Sequence, residues 1–397
     1  MSSGAAPLAS IALGGGDKER AERILGNAFT AAAVMSLVLT AALLTFTEPI
    51  LSLFGASRET MPYARQYLRI YACGSVFALM TLGLNAFITA QGFPKTAMTT
   101  VLIGAAINII LDPIFIYYFK MGVRGAAVAT VVAQAASAAW ALRFFIQRRG
   151  ILELKLRHMR PRAGVLLPAL ALGAAPFIMF STESVLVLSY NSSLLRYGGD
   201  SAVGMMTILA TLMQFLMLPA QGLAQGAQPI ISYNYGAGDA ARVREAFRRL
   251  IASAFAVTLA VYLLFMLAPE IVIRPFTSDP ALIARTSWGM KIYFSAGILI
   301  GVQMASLQTL MALGMSGLST FLSLLRKVFL LIPFIYIFPH FADDKIFAVI
   351  AAEPAADVIS VTTTIIAFTL QFKKILRGMK SPTHRCAAQG RTENDAL

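Results

Sequence analysis

The sequence predicts an all-α polytopic membrane protein built as two lobes in parallel internal repeat, and three observations carry that prediction. Hydrophobic residues make up 57% of the 397 residues and charged residues only 13%, whereas soluble domains carry roughly 25% charge. The apolar residues fall into long runs bounded by Gly, Pro and basic clusters, each able to cross a hydrocarbon core of about 30 Å as a helix. These runs are continuous rather than alternating, which argues against a β-barrel. Finally, the pattern S-x-x-x-G-x-G-D-x-x-R occurs twice, from Ser10 to Arg20 and from Ser232 to Arg242.

Taken in order, the runs predict spans at 27–47, 63–91, 96–119, 125–146, 164–191, 200–231, 248–270, 284–312, 317–339 and 345–372, ten in all, with residues 1–13 forming the tail of a further helix. Residues 1–146 therefore make an incomplete first lobe, that tail plus four spans. A basic linker covers 147–163, a second lobe of six spans covers 164–372, and a polar tail covers 373–397. The tail has the composition of a disordered segment. The first 13 residues carry no basic n-region before their apolar stretch, so no cleavable signal peptide is expected.

The net charge of +14 is read through these loops. Placing residues 14–26 inside also places QGFPK, QRRGILELKLRHMRPR, GAGDAARVREAFRR, ALGMSG and the C-terminal tail inside, and most of the 33 Lys and Arg with them. That is the positive-inside asymmetry of a multi-pass protein, and it replaces nucleic acid as the explanation of the basic balance. Two cysteines, Cys73 and Cys386, make no disulfide framework, and His158, His340 and His384 are too scattered for a metal cluster.

The repeat extends well beyond the motif. Pro7 pairs with Pro229, Gly14 with Gly236, Phe54 with Phe276, Tyr71 with Tyr293 and Gly92 with Gly314, at a constant offset of 222 (236 − 14). Both halves then share one topology, and such parallel repeats build transporters with a cavity between the lobes. Carried back from a second lobe starting near Arg162, the same offset places the start of the first lobe about sixty positions before Met1. Two helices are accordingly expected to be missing. The motif itself reads as structure. Gly14, Gly16, Gly236 and Gly238 end one helix, the last of each pair in the left-handed region. Asp17 and Asp239 cap the next helix, and Arg20 and Arg242 anchor it at the inner headgroups, an inner-loop hinge rather than a phosphate cradle.

The stretches GAAPLASIALGGGDKERAERILGNAF, GLNAFITAQGFPKTAMTTVLIGAAINIILDPIFIYYF and LPAQGLAQGAQPIISYNYGAGDAARVREAFRRL resemble the multidrug and toxic compound extrusion (MATE) transporters, most closely the bacterial branch of MepA-like exporters. The resemblance covers essentially residues 1–375. It implies a monomeric transporter of the bacterial inner membrane, with its C-terminus cytoplasmic, exporting small amphipathic cations in exchange for Na⁺ or H⁺ without any other cofactor. An enzyme is not expected. A lipid-linked oligosaccharide flippase of the same superfamily, or a non-transporting membrane remnant, is the alternative.

Ionisable groups inside hydrocarbon are costly and functional by default. Asp112 lies mid-span, with Asn108 four residues earlier on the same helix face. Antiparallel packing across the Met121-Gly122 turn brings Thr130 to a similar depth, so the three side chains form a candidate hard-cation or proton site. Pro113 is expected to disfavour regular α conformation at Asp112. The resemblance adds that an Asn-x-x-x-Asp pair and a Thr match the N-lobe cation site of some MATE proteins, a site that also uses an Asp on the first helix. Glu183 reads as the other lone acid in mid-membrane and a second coupling candidate. Met205, Met213 and Gln214, with Met206 and Met217 nearby, are candidates for an adaptable substrate cavity, a lipid-facing or core stripe being the alternative. Arg326 and Lys327 either line that cavity or snorkel to the inner surface.

Overall fold

The computed structural model describes residues 2–53 and 58–379. Phe54 of the repeat pairing and the tail with His384 and Cys386 lie outside the described residues. Contacts divide the chain into two units, Met1–Gly173 and Ala174–Leu397.

The first unit contains α1 (Ser2–Gly14), α2 (Lys18–Thr45), the short α3 (Thr47–Leu53), α4 (Met61–Ala90), α5 (Pro94–Pro113) with a π-helical continuation at Ile114–Tyr118, and α6 (Val123–Ile146). Helix α4 packs on α2 and α6, and α5 packs on α6. The core gathers Leu25, Phe87, Ile88, Phe144 and Leu152. Cys73 is an exposed free thiol.

Helix α7 (Ala163–Gly236) runs through the boundary between the units and is broken only at Gly199, with φ 62° and ψ −164°. The sequence predicts two spans here with an open turn between them. A single glycine makes that turn, because only a residue without Cβ occupies this backbone region at no steric cost. The second unit continues with α8 (Ala240–Leu267), α9 (Pro269–Ile273), α10 (Pro280–Tyr293), α11 (Ile300–Ala312), α12 (Ser316–Leu324), a π segment at Leu325–Leu331, α13 (Ile332–Phe341) and α14 (Lys345–Met379). Helices α10 and α11 meet at a bend of 54° and together pass the length and hydropathy of a span. Among the described residues, eight helices are long and apolar enough to cross a membrane, or nine with this bent pair. Reading the arms of α7 on either side of Gly199 as separate spans accounts for the tenth.

The offset of 222 governs the backbone as closely as the sequence. Helices α2 and α8 start at Lys18 and Ala240 and end at Thr45 and Leu267; α5 and α12 start at Pro94 and Ser316, and α6 and α14 at Val123 and Lys345. Ser10 Oγ donates to the Ala90 carbonyl (3.4 Å) and Ser232 Oγ to the Ala312 carbonyl (2.8 Å). Gly16 and Gly238 hold φ at 83° and 73°, where an L side chain would be strained. The Asp17 and Asp239 carboxylates accept the amides of Arg20 (2.8 Å) and Arg242 (2.9 Å). These contacts satisfy helix-end donors that have no intrahelical partner.

Among the described residues each unit also carries one π segment in the corresponding span, after Pro113 in the first and before Pro333 in the second. The effect expected of Pro113 is corrected by position: α5 runs through Asp112 and Pro113, and the irregular turn lies beyond them. Proline removes its own amide, so the Ile109 carbonyl loses its α-helical donor while α5 keeps its course through Asp112 and Pro113.

Candidate functional site

In the first unit, Asn108 Nδ2 donates to Asp112 Oδ1 at 3.3 Å, both residues half-buried one turn apart on α5. The third member of the expected set stands apart in its bonding. Thr130 Oγ1 donates to the Ala126 carbonyl of its own helix, α6 (2.9 Å). The structure thus joins the acid and the amide just before the π segment, where i→i+5 bonding replaces the α pattern. Such π turns recur at functional sites.

The second unit holds a charge cluster that differs from expectation. Arg326, in the π segment, is 5% exposed. Its Nε donates to Asp357 Oδ1 (2.5 Å) and its Nη2 to Glu353 Oε1 (2.9 Å). The two acids are one turn apart on α14 and face the same guanidinium. Tyr190 of α7 donates its hydroxyl to Glu353 Oε2 (2.8 Å). Snorkelling of Arg326 to the inner surface is therefore corrected: a buried guanidinium that meets carboxylates has no need to reach water. Glu183 is corrected as well. Its carboxylate pairs with Lys327 Nζ, so it is not a lone acid.

Glu353 and Asp357 are residues that the sequence reasoning misses. Their signal is the i, i+4 acid pair in IAAEPAADVIS, since an intramembrane arginine needs a carboxylate. The face continues through Ser360 and Thr364, all four residues buried, and Gln303 Nε2 on α11 donates to Ser360 Oγ (2.8 Å). The repeat equivalents of Arg326, Glu353 and Asp357 are Gly104, Val131 and Ala135, so this cluster belongs to one half alone. One cation facing two carboxylates leaves the cluster one negative charge in excess when all are ionised.

Met205 and Met213 are 0% and 7% exposed in the hydrophobic core of the second unit, Met217 packs against the same cluster, and Gln214 is exposed. The two buried methionines thus fill core volume. Among the described residues no group of three His, Cys, Asp or Glu could hold a metal ion.

Outside the spans, the linker lies on the first unit. His158 is 5% exposed and accepts from Arg157 Nε (2.8 Å). Burial, then the Arg157 charge, push its pKa below the ordinary imidazole value.

Comparison with known proteins adds to this geometry. The family model described as MatE matches residues 1–114 and 176–337. The Multidrug export protein MepA of Staphylococcus haemolyticus is 26% identical over 325 residues, covering 82% of this chain and 71% of that protein. MepA of Staphylococcus aureus strain N315 is 25% identical over 334 residues, 84% and 73% of the two chains. A crystal structure of MATE in the bent conformation superposes with a TM-score of 0.91 over 96% of this chain and 84% of that one, at 21% identity, a likeness of fold. The MATE multidrug transporter DinF-BH, solved in complex with rhodamine 6G, is 34% identical with a TM-score of 0.85, covering 93% and 82%.

Proposed function

Because the chain belongs to the MatE family, we propose that it exports small amphipathic, drug-like cations across the bacterial inner membrane in exchange for Na⁺ or H⁺. The relatives named for multidrug export, and the DinF-BH transporter solved with rhodamine 6G, support the substrate class. The single observation that carries the coupling is the Asn108–Asp112 bond. An intramembrane carboxylate held by one amide keeps oxygen lone pairs for a Na⁺ or a proton. In this reading the ion and the drug compete through alternating access of the two lobes, and the basic loops and the C-terminus face the cytoplasm.

The flippase reading rests on free intramembrane cations for a pyrophosphate. Arg326 and Lys327 are both paired with carboxylates, which removes its main support. The test is transport in proteoliposomes. Rhodamine 6G efflux should follow an imposed Na⁺ or pH gradient, and Asp112→Asn should abolish that dependence. Undiminished gradient-driven efflux in Asp112→Asn would overturn the coupling assignment.

A further inference from the structure

The linker between the two spans at 146 and 163 is more firmly held than a connector requires. Glu22, 2% exposed, accepts Lys155 Nζ (2.7 Å) and the Glu153 amide (3.3 Å). Gln91 Oε1 accepts the Leu152 amide (2.7 Å), and Thr30 Oγ1 donates to the Met159 carbonyl (2.8 Å). Asn27, 1% exposed, donates to the His158 carbonyl (3.0 Å) and accepts the Arg162 amide (2.7 Å). At the 222 offset these positions are Arg244, Leu313, Ala252 and Arg249, none of which reproduces the acceptors and donors. The dock is built only in the first repeat.

Its consequence is a pocket lined by Arg23, Asn27, Arg157, His158, Arg160 and Arg162. Arg23 and Arg157 share Glu19, at 2.7 and 3.6 Å. Among the described residues Arg160 and Arg162 have no carboxylate within ion-pair distance. His158 supplies a second, independent sign. Since its Nε2 accepts from Arg157, the neutral ring carries its hydrogen on Nδ1. That donor is buried without a hydrogen-bond partner, the Glu22 carboxylate being 3.8 Å away. A buried donor without an acceptor costs free energy, and the ring that carries it lines the arginine pocket through its other edge. Beside them, Leu156 is 83% and Ile151 48% exposed, apolar side chains offered on a strongly basic segment, as at a bilayer interface.

We propose that this pocket binds the phosphodiester of an anionic phospholipid in the leaflet on the linker's side, Arg160 and Arg162 neutralising the phosphate beside the Arg157–His158 pair. Basic pockets at helix ends on the cytoplasmic face suit such headgroups, and guanidinium forks match phosphate geometry. The exposed Leu156 and Ile151 favour a lipid over free phosphate, since they enter the same interface.

Native mass spectrometry of the full chain, given equal phosphatidylglycerol and phosphatidylcholine, tests this without any transport assay, so it stands or fails apart from the export reading. The unaltered protein should retain phosphatidylglycerol selectively. Arg160→Gln with Arg162→Gln should lose that preference by about fivefold per arginine, while Arg244→Gln with Arg248→Gln in the other repeat should keep it. Melting in detergent micelles reports folding, and Arg160→Gln alone, at an unpaired side chain, serves if the double variant melts low. Equal loss in both double variants means diffuse charge attraction and overturns the site. So does lack of headgroup selectivity, or displacement of the lipid by millimolar inorganic phosphate.

Discussion

Arg326 and Asp357 meet at 2.5 Å in the interior of the second unit, the guanidinium on a π turn and the carboxylate on α14. Glu353, one turn away, takes the other arm of the same guanidinium. A π turn has no i→i+4 ladder to hold it, and this fork ties it to the neighbouring helix. The pairing explains why an arginine is tolerated at a depth where a free cation would be expelled.

Breaking this fork from one side should be costly. Arg326→Met leaves two buried carboxylates facing each other and should destabilise by about 3–5 kcal/mol, whereas Arg326→Met with Glu353→Met and Asp357→Leu should recover most of the loss. Thermal melts of the detergent-solubilised protein decide it. A triple variant as unstable as the single one would mean that packing, not charge, holds the segment.

The Asn108–Asp112 bond predicts a functional change with little structural cost. Asn108→Ala removes one half-buried hydrogen bond, so stability should fall by about 1 kcal/mol. The carboxylate also loses the amide that orients it. The ion concentration giving half-maximal efflux should then move by about fivefold, the factor to which 1 kcal/mol corresponds. Initial dye-efflux rates in proteoliposomes, measured against Na⁺ and against pH, read that change. An unchanged profile for both ions would separate Asn108 from ion handling.

The twin hinge loops offer a repeat-to-repeat control. Gly16 and Gly238 hold φ at 83° and 73° with open space where a Cβ would stand, so an alanine there meets only backbone strain. Gly16→Ala and Gly238→Ala should each cost about 1–2 kcal/mol. Asp17→Ala and Asp239→Ala, which remove the amide caps, should each cost about 1 kcal/mol. Melting temperatures of the four variants check the scale, and the paired positions should agree with one another.

Much of this architecture is legible in the residues because the repeat imposes itself at each turn. Glycine at 16 and 238 and aspartate at 17 and 239 are demanded by a left-handed backbone and an uncapped helix end, and both demands are local. The join at Gly199 is less legible, because YGGD reads equally as an open turn or as one helical break. The Arg326 cluster is illegible for another reason. Its three charges lie on two elements 27 and 31 residues apart, and helix period reveals the acid pair but not the partner it faces. Glu183 misleads in the same way, its partner Lys327 lying 144 positions away. Intramembrane charges must therefore be read as a set to be neutralised rather than as single candidates.

The docked linker predicts a pH effect with a definite sign. Burial holds the His158 pKa below its ordinary value of 6.5, with the Arg157 charge adding to the effect, so the unfolded chain binds the proton more readily than the folded one. The stability that this neutral imidazole contributes is complete above about pH 6.5 and is lost as pH falls through the lower, folded value. The melting temperature should drop between about pH 7.5 and about pH 5.5, and His158→Gln, which keeps an acceptor for Arg157 but does not titrate, should flatten that drop. Glu19 and Glu22 lie 3.9 and 3.8 Å from the ring and oppose the shift, while Lys155 reinforces it. An identical pH slope in the variant would show that the histidine does not carry the effect.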